Sequence, residues 1–282
     1  MKYQHVLAMQ AGGPQVLQLR EDELPEPKAG EVRVKILAAG VAFPDILLRL
    51  GKYPGVPPFP LTPGYDLVGV VEKCGRSVKE RTAGQMVAAL TQFGSYSQYI
   101  CLPEREAIPV PEQVDPAEAV SLVLNYVTAY QMLHRAAHVK AGERILVHGA
   151  AGGVGTALLQ LGHLLHLDMY GTASPAKQEV AARLGAIPID YTKEDFVACI
   201  RTLTGDGVDA VFDAIGGEHF HHSFQALRSG GRFIGYGFTL ENLRGGDLLS
   251  GLLRTWPKLA YWSILPNGKR AQWYACLLYT SD

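Results

Sequence analysis

The spacing of apolar residues along the chain changes near residue 116. Before that point, apolar runs at residues 32–41, at 67–75 and in the stretch up to residue 102 are separated by glycines and prolines. This pattern predicts strands joined by tight turns, and therefore a compact, mostly β region. From residue 116 to 133 the chain is rich in good helix formers, with a proline at an early helical position, so we predict a helix there.

Beyond this helix, short strands and helices alternate. The predicted strands cover residues 145–147, 167–172, 187–189, 208–214 and 232–236, and the predicted helices begin at residue 153 and cover 175–184, 193–203 and about 218–227. Alternation of this kind predicts a parallel, doubly wound sheet with right-handed crossovers. We therefore expect an α/β chain in which a mostly β part precedes a parallel-sheet part.

The turn after the first of these strands consists almost entirely of glycine and alanine, in the sequence HGAAGGVG. A helix N-terminus leaves backbone N–H groups unpaired and carries a partial positive charge, which a pyrophosphate satisfies. Gly152 lets the backbone approach the phosphates, Gly155 lets the helix pack on the strand, and Ala150 replaces the first glycine of the usual fingerprint. Because a strand precedes this turn and a helix follows it, we predict a dinucleotide site and not an ordinary glycine-rich turn.

The tip of the second strand decides which dinucleotide is expected. An NAD site places an acidic residue about 20 residues beyond the turn, where it holds the ribose 2′-OH. Here the tip at residues 171–174 has no acid, and Asp168 lies too early in the strand. A hydroxyl and an ammonium group suit a 2′-phosphate, so Ser174 and Lys177 predict NADP(H). The alternative is that Lys177 is simply a solvated lysine on the first turn of a helix.

Composition excludes several other classes of protein. The 282 residues suffice for two modest domains, and a net charge of −1 gives no basic excess for nucleic acid or an anionic membrane. The start MKYQHVLAMQ lacks the features of a signal peptide, and no stretch is long and apolar enough to span a bilayer. The four scattered cysteines include no C-x-x-C pair, which argues against structural zinc and predicts a reduced, cytoplasmic protein.

Eight motifs occur in order along the chain. They lie at residues 38–54, 62–71, 94–99, 125–133, 147–155, 171–177, 211–217 and 229–237. Together they resemble the medium-chain dehydrogenase/reductase superfamily, in its zinc-independent quinone oxidoreductase (zeta-crystallin-like) branch. The resemblance implies a GroES-like catalytic domain over residues 1–124 and a Rossmann NADP-binding domain over 125–262. It also implies a return to the catalytic domain that starts at 263–275, and an active site in the cleft between the domains.

The resemblance implies roles for individual residues. The expected cofactor contacts are Thr128 beside the nicotinamide, Gly152, Gly153 and Val154 at the pyrophosphate, Lys177 and Tyr191 at the 2′-phosphate, and Gly216 in the VFDAIGG motif. The substrate side is expected to include Asp45, Arg49 and Tyr53. Ala42 stands where the branch often has an asparagine that helps to position the nicotinamide or substrate. This replacement weakens the assignment of a quinone substrate but leaves the assignment of the cofactor unchanged.

Zinc-dependent relatives use a cysteine and a G-H-E motif that this chain lacks. Residues 43–45 read Phe-Pro-Asp, and residues 64–66 read Gly-Tyr-Asp. Because no cysteine-rich lobe is present either, no metal site is expected. His219, His221 and His222 lie close together at a predicted helix start, but no third ligand is evident, so a partly exposed helix face is the preferred interpretation.

The chemistry that the resemblance implies is hydride transfer from the nicotinamide to a quinone or to the β-carbon of an α,β-unsaturated ketone or aldehyde. Tyr53 and Asp45 are candidate proton donors, although water could serve instead. The alternatives are that Asp45 caps a short helix and that Tyr53 only packs over a loop. For the protein as a whole, the alternatives are an enoyl reductase of acyl-chain synthesis and a non-catalytic member that binds NADP.

The expected partners are a small quinone or enone substrate and a second copy of the chain, with neither nucleic acid nor membrane. The family-based expectation is a homodimer that forms through an edge strand near residues 233–236. Residues 276–282 read CLLYTSD, which resembles a translated sequencing adapter. We therefore expect the open reading frame to be truncated there.

Overall fold

The computed structural model describes residues 1–53, 55–237 and 248–275, with the backbone alone at 248–254. The tail at residues 276–282 lies outside the described residues, so its predicted origin stays a prediction. The chain divides into two units, residues 1–124 and residues 125–282, and each is described by itself. The predicted domain limits at residues 262 and 275 also stay predictions.

The first unit is an antiparallel β structure. Its strands are β1 (Lys2–Ala8), β2 (Leu17–Glu23), β3 (Glu31–Ala39), β4 (Asp66–Cys74), β5 (Met86–Leu90), β6 (Tyr99–Pro103) and β7 (Ile108–Pro109), with helix α1 (Phe43–Arg49) between β3 and β4. Five strands form one sheet in the order β6-β3-β4-β5-β7, and β1 pairs with β2. Alternate residues such as Val32, Val34 and Val71 are fully buried in its core, because successive side chains of a strand point to opposite faces.

The second unit contains a six-stranded parallel sheet. Helix α2 (Pro116–Gln131) spans the boundary between the units and is followed by a π-helical turn, Met132–Ala136. The strands are β8 (Arg144–His148), β9 (Asp168–Ala173), β10 (Ile187–Asp190), β11 (Val208–Asp213), β12 (Leu227–Gly235) and β13 (Arg270–Trp273), in the order β10-β9-β8-β11-β12-β13. The helices are α3 (Gly153–Leu164), α4 (Gln178–Arg183), α5 (Phe196–Thr204), α6 (His219–Gln225) and α7 (Leu248–Ser263). The predicted α/β class, with a doubly wound parallel sheet, is confirmed.

Each face of this sheet has its own core. Ile145 and Val147 face the core that contains α3, whereas Leu146 between them faces the core that contains α5 and α6. On β12, Phe233 and Ile234 divide in the same way. Both faces of a parallel sheet are covered by crossover helices, which explains why its strands are nearly continuous apolar runs.

Several predicted boundaries need correction. Helix α5 begins at Phe196 and not at residue 193, because the Asp195 carboxylate accepts hydrogen bonds from the amides of Val197 (2.8 Å) and Ala198 (3.4 Å) and so caps the helix there. The predicted helix at 175–184 consists of a 3-10 turn, Pro175–Lys177, followed by α4. Strand β12 begins at Leu227, five residues before the predicted start at residue 232.

The predicted edge strand near residues 233–236 is not at an edge. Strand β13 pairs with β12 in parallel, with Phe233 opposite Ala271 and Gly235 opposite Trp273. Among the described residues the edge strands of this sheet are therefore β10 and β13. Any dimer through the described sheet edge would use Arg270–Trp273 or Ile187–Asp190 instead.

A buried carboxyl group ties β4 to its neighbours in the first unit. Asp66 is 3% exposed, and its carboxylate accepts hydrogen bonds from the amides of Gly40 and Leu124, both at 3.1 Å. Burial, and less strongly the nearby Asp45, raises the pKa of Asp66 from 3.8 to about 6. Because the folded pKa lies above the ordinary value, this group stabilises the fold at low pH and loses that contribution as the pH rises through 6.

We predict that the free energy of unfolding falls by about 3 kcal/mol between about pH 4 and pH 7 because of Asp66 alone. Urea unfolding at a series of pH values would measure this slope, and Asp66→Asn should flatten it. Asp168→Asn, at an exposed site, should leave the slope unchanged. An Asp66→Asn profile parallel to that of the wild type would show that another group causes the pH dependence.

Candidate functional site

The glycine-rich turn joins the centre of the parallel sheet to α3. Strand β8 ends at His148, and α3 begins at Gly153 with Gly152 as its N-cap. The amide of Ala150 donates to the carbonyl oxygen of Thr172 (3.1 Å), which fixes the turn against β9. No side chain caps the start of α3, so the first N–H groups of this helix are available to an anionic ligand.

Close packing requires glycine at position 155. A Cβ atom there would overlap the carbonyl oxygen of Gly149 and would lie 2.9 Å from the Cα atom of Ala150. At Gly152, by contrast, the nearest atom to an added Cβ would be that same oxygen, at 3.2 Å. Gly155 therefore sets the spacing between helix and turn, whereas Gly152 keeps the outer surface of the turn open.

Ala150 is accommodated by a glycine on the neighbouring strand. Its methyl group is fully buried, and a Cβ atom added to Gly171 on β9 would lie 2.7 Å from it. The alanine in place of the usual first glycine therefore does not disturb the turn. Sequence reasoning noted the replacement at residue 150 but missed this partner.

Three of the predicted 2′-phosphate residues lie at one edge of the sheet. Ser174 follows the end of β9, and Lys177 ends the 3-10 turn after it, where its amide donates to the Ser174 carbonyl oxygen (2.8 Å). Asp190 pairs with Ala173, so Tyr191 is the residue after the matching position on β10 and is exposed. Asp168 is the first residue of β9 and lies at the opposite end of the strand.

Asp190 is an acid at this edge that sequence reasoning missed. Its carboxylate accepts hydrogen bonds from the Thr192 amide (3.0 Å) and the Thr192 hydroxyl (2.6 Å), and Lys193 Nζ lies 3.7 Å away. The hydrogen bond from the Thr192 hydroxyl is the main cause that holds the pKa of Asp190 below its usual value. Because its oxygens already have partners in the turn, Asp190 is a poor candidate for the ribose acid of an NAD site.

Gly216 lies in the loop after β11, the strand next to β8. Its φ angle is +90°, a conformation that favours glycine. Asp213, the last residue of β11, accepts a hydrogen bond from the Ile215 amide (2.7 Å) and so fixes the start of this loop. The carboxyl ends of adjacent parallel strands meet at one edge, so this loop and the glycine-rich turn are neighbours.

One residue of α2 lies against the start of α3. Thr128 is buried on α2, and three residues earlier the Asn125 side chain lies against the start of α3. A Cβ atom at Gly153 would lie 2.8 Å from Asn125 Nδ2. Asn125 was not singled out from the sequence, because a single asparagine in a helical run carries no signal of its own.

One of the three clustered histidines has partners that were not predicted. His219 is partly exposed, in line with the prediction, but its Nδ1 atom is 2.7 Å from the Asp213 carboxylate and its ring packs beside His148. His221 and His222 are exposed, as expected. The partners of His219 lie outside the EHFHH segment, at the ends of β8 and β11, so spacing within that segment could not reveal them.

In the first unit, Asp45 is held by backbone amides. Its carboxylate accepts hydrogen bonds from Ala42 (2.8 Å), the N-cap of α1, and from Gly64 (3.1 Å), and burial raises its pKa. These contacts match the helix-capping alternative. Arg49, the other predicted substrate-side residue of this segment, ends α1, and its carbonyl oxygen accepts from the Gly12 amide at 3.0 Å.

Tyr53 forms a pair with Tyr65. Their hydroxyl oxygens are 2.8 Å apart, and their rings meet edge to face at 5.9 Å. Tyr65 stands at the histidine position of the G-H-E motif, and Asp66 at the glutamate position is bonded to backbone amides. Within the described part of the first unit, no group of three His, Cys, Asp or Glu side chains is arranged to bind a metal.

Two family models match this chain. Residues 28–112 match the alcohol dehydrogenase GroES-like domain, and residues 153–253 match the zinc-binding dehydrogenase family. A quinone oxidoreductase from Rattus norvegicus is 34% identical over 228 residues, which cover 79% of this chain and 69% of that protein. The chain belongs to the quinone oxidoreductase branch of the medium-chain dehydrogenase/reductase superfamily. The resemblance seen in the sequence motifs is thus confirmed.

Other members of the superfamily are also similar. The synaptic vesicle membrane protein VAT-1 homolog of Rattus norvegicus is 37% identical over 244 residues, which cover 85% of this chain but 60% of that protein. The crystal structure of the Escherichia coli quinone oxidoreductase complexed with NADPH has a TM-score of 0.85 against this chain. It is 27% identical and is matched over 99% of this chain and 82% of that one.

The residues present in this superfamily member fit a phosphorylated dinucleotide. The turn leaves an uncapped helix N-terminus, and Gly152 gives it an open surface. At the adjoining edge, Ser174 and Lys177 follow β9, and the carboxylate of Asp190 has its own partners. Among the described residues no helix is both long and apolar enough to cross a membrane.

We predict different consequences for alanine at the two glycines of the turn. Gly155→Ala should destabilise the protein by about 1–3 kcal/mol, because the new methyl group has no space beside the Gly149 carbonyl. Gly152→Ala should leave stability within about 0.5 kcal/mol of the wild type but weaken NADPH binding. Urea unfolding and calorimetric titration with NADPH would measure both effects. Equal losses of stability in the two variants would contradict this assignment.

Proposed function

We propose that this chain is part of an NADPH-dependent oxidoreductase that transfers hydride to a quinone or to an α,β-unsaturated carbonyl compound without zinc. The observation that carries the proposal is the glycine-rich turn, with its uncapped helix and the Ser174–Lys177 edge beside it. Similarity to quinone oxidoreductases supports the reaction class. NADP(H) is the cofactor, and when bound it supplies the hydride.

The residues of the second unit bind and orient this cofactor. Gly152, Gly153, Val154 and Gly155, next to the buried Ala150, form the turn whose N–H groups hold the pyrophosphate. Ser174, Lys177 and Tyr191 would hold the 2′-phosphate, Gly216 would contact the dinucleotide, and Thr128 would orient the nicotinamide. Each of these roles is a proposal that rests on placement within the unit.

The residues of the first unit act on the substrate side. Tyr53 donates the proton that the reduced product needs, and its hydroxyl is held by that of Tyr65 at 2.8 Å. Asp45 maintains the backbone between Ala42 and Gly64 and is not the proton donor. Tyr65 and Asp66 stand at the histidine and glutamate positions of the G-H-E motif, and their polar atoms have protein partners. These contacts support a reaction without zinc.

Similarity to VAT-1 favours a second candidate function. The name of that relative gives a vesicle location and states no reaction, and it is 37% identical to this chain. The second candidate is therefore a member that binds NADP without turnover. In either case we propose a cytoplasmic protein that forms a homodimer, and an enoyl reductase remains the enzymatic alternative.

We predict that the chain prefers NADPH to NADH. Lys177→Ala should weaken NADPH binding about tenfold to hundredfold, since a charged hydrogen bond contributes about 1.5–3 kcal/mol, and should leave NADH binding unchanged. Titration with each nucleotide would measure both affinities. Arg183→Ala, at the other end of α4, serves as the control. Tighter binding of NADH by the wild type would refute the 2′-phosphate assignment.

The decisive experiment for the reaction is NADPH consumption with a panel of quinones and enals. We expect turnover by the wild type and at least a tenfold lower kcat in Tyr53→Phe, because a positioned proton donor contributes about a hundredfold or more. Tyr261→Phe, at an exposed site on α7, is the control. Binding of NADPH without turnover of any compound would instead favour the VAT-1-like candidate.

A further inference from the structure

Four polar side chains meet at the carboxyl ends of β8 and β11, inside the second unit. His148 ends β8 and Asp213 ends β11, whereas His219 and Ser223 lie one turn apart on α6. His148, Asp213 and Ser223 are fully buried, and the His219 side chain is 20% exposed. The proposed oxidoreductase reaction uses none of these four side chains.

The distances within this His148 cluster are short. The Asp213 Oδ2 atom lies 2.7 Å from His219 Nδ1 and accepts a hydrogen bond from the Ser223 hydroxyl at 2.6 Å. Ser223 Oγ is in turn 3.0 Å from His148 Nε2. One ligand atom each from His148, Asp213 and His219 can be chosen so that all three lie within 4.8 Å of one another.

The outer atoms of two of these side chains are held in place. His148 Nδ1 lies 2.9 Å from the Thr172 hydroxyl, and Asp213 Oδ1 accepts a hydrogen bond from the Ile215 amide at 2.7 Å. The opposite atoms, Nε2 and Oδ2, therefore face the interior of the cluster. Fixing a histidine through its second nitrogen and a carboxylate through its second oxygen is how proteins orient metal ligands.

We propose that His148, Asp213 and His219 form a binding site for Zn²⁺. Two imidazoles and one carboxylate are a ligand set that zinc accepts, with the Ser223 hydroxyl or a water molecule as the fourth ligand. His219 binds through Nδ1 after its proton moves to Nε2. Tetrahedral zinc with bonds of about 2.0–2.1 Å places its ligand atoms roughly 3.3 Å apart. Zinc binding would therefore lengthen the 2.7 Å distance between His219 Nδ1 and Asp213 Oδ2 by less than an ångström.

This site differs from those at which zinc-dependent relatives bind their metal. The residues at those positions, 43–45 and 64–66, lie in the first unit and contain neither cysteine nor histidine. The proposed ligands instead follow from the carboxyl ends of β8 and β11. A bound ion would join the turn at Gly149 to the loop at Ile215, which flank the proposed dinucleotide site.

The experiment is calorimetric titration of the chelator-treated protein with Zn²⁺ alone, in the absence of NADPH. We expect one Zn²⁺ per chain, and at least tenfold weaker binding in His219→Gln, which removes a partly exposed ligand. His221→Gln is the matched control, since His221 lies on the same helix outside the cluster and should bind as the wild type does. Co²⁺ provides a spectroscopic check, because its visible absorption reports tetrahedral coordination in the wild type.

Two results would overturn the proposal. One is no uptake of Zn²⁺ by the folded wild type up to about a millimolar, which would leave the cluster as a hydrogen-bonded network only. The other is unchanged Zn²⁺ affinity in folded His219→Gln. If that variant does not fold, His219→Asn replaces it, with circular dichroism as the criterion of folding. Neither outcome depends on turnover, so both are distinguishable from failure of the proposed oxidoreductase function.

Discussion

The contact between the glycine-rich turn and the first turn of α3 determines the arrangement of the second unit. Because no side chain fits between Gly155 and the Gly149 carbonyl, α3 lies directly against the end of β8. That close approach buries Ala157, Leu158 and Leu159 on one face of the sheet. It also leaves the helix N-terminus exposed at the sheet edge where the candidate site lies. Packing and ligand binding thus depend on the same few backbone atoms.

Most of the parallel-sheet unit could be predicted from the sequence, because each of its central strands is a short apolar run next to a helical one. The elements that were missed lack that signal. Strand β2 reads LQLREDE and is mostly exposed, so its apolar residues do not mark a buried face. Strand β13 has the sequence RAQW and is recognisable only from its pairing with β12. Tertiary pairing, and not local propensity, forms both strands.

The candidate site also contains residues that could be predicted from the sequence and residues that could not. The turn at residues 149–155 and the edge at Ser174 could be predicted because their residues are close together in sequence. The Tyr53–Tyr65 pair and the contact of His148 with Ser223 could not, since each depends on loops or strand ends that the fold brings together. His148 was not singled out from the sequence, because 75 positions separate it from Ser223, its partner.

The fit between Ala150 and Gly171 has a consequence for how such motifs are interpreted. The methyl group that the turn carries occupies the volume that β9 leaves empty. Ala150 lies in the turn after β8 and Gly171 lies on the adjacent strand β9. Both side-chain positions compete for the same space, so the identity of either residue is constrained by the other. A nucleotide-binding fingerprint in this fold is therefore a two-dimensional pattern across neighbouring strands, and a pattern written along a single segment records half of it.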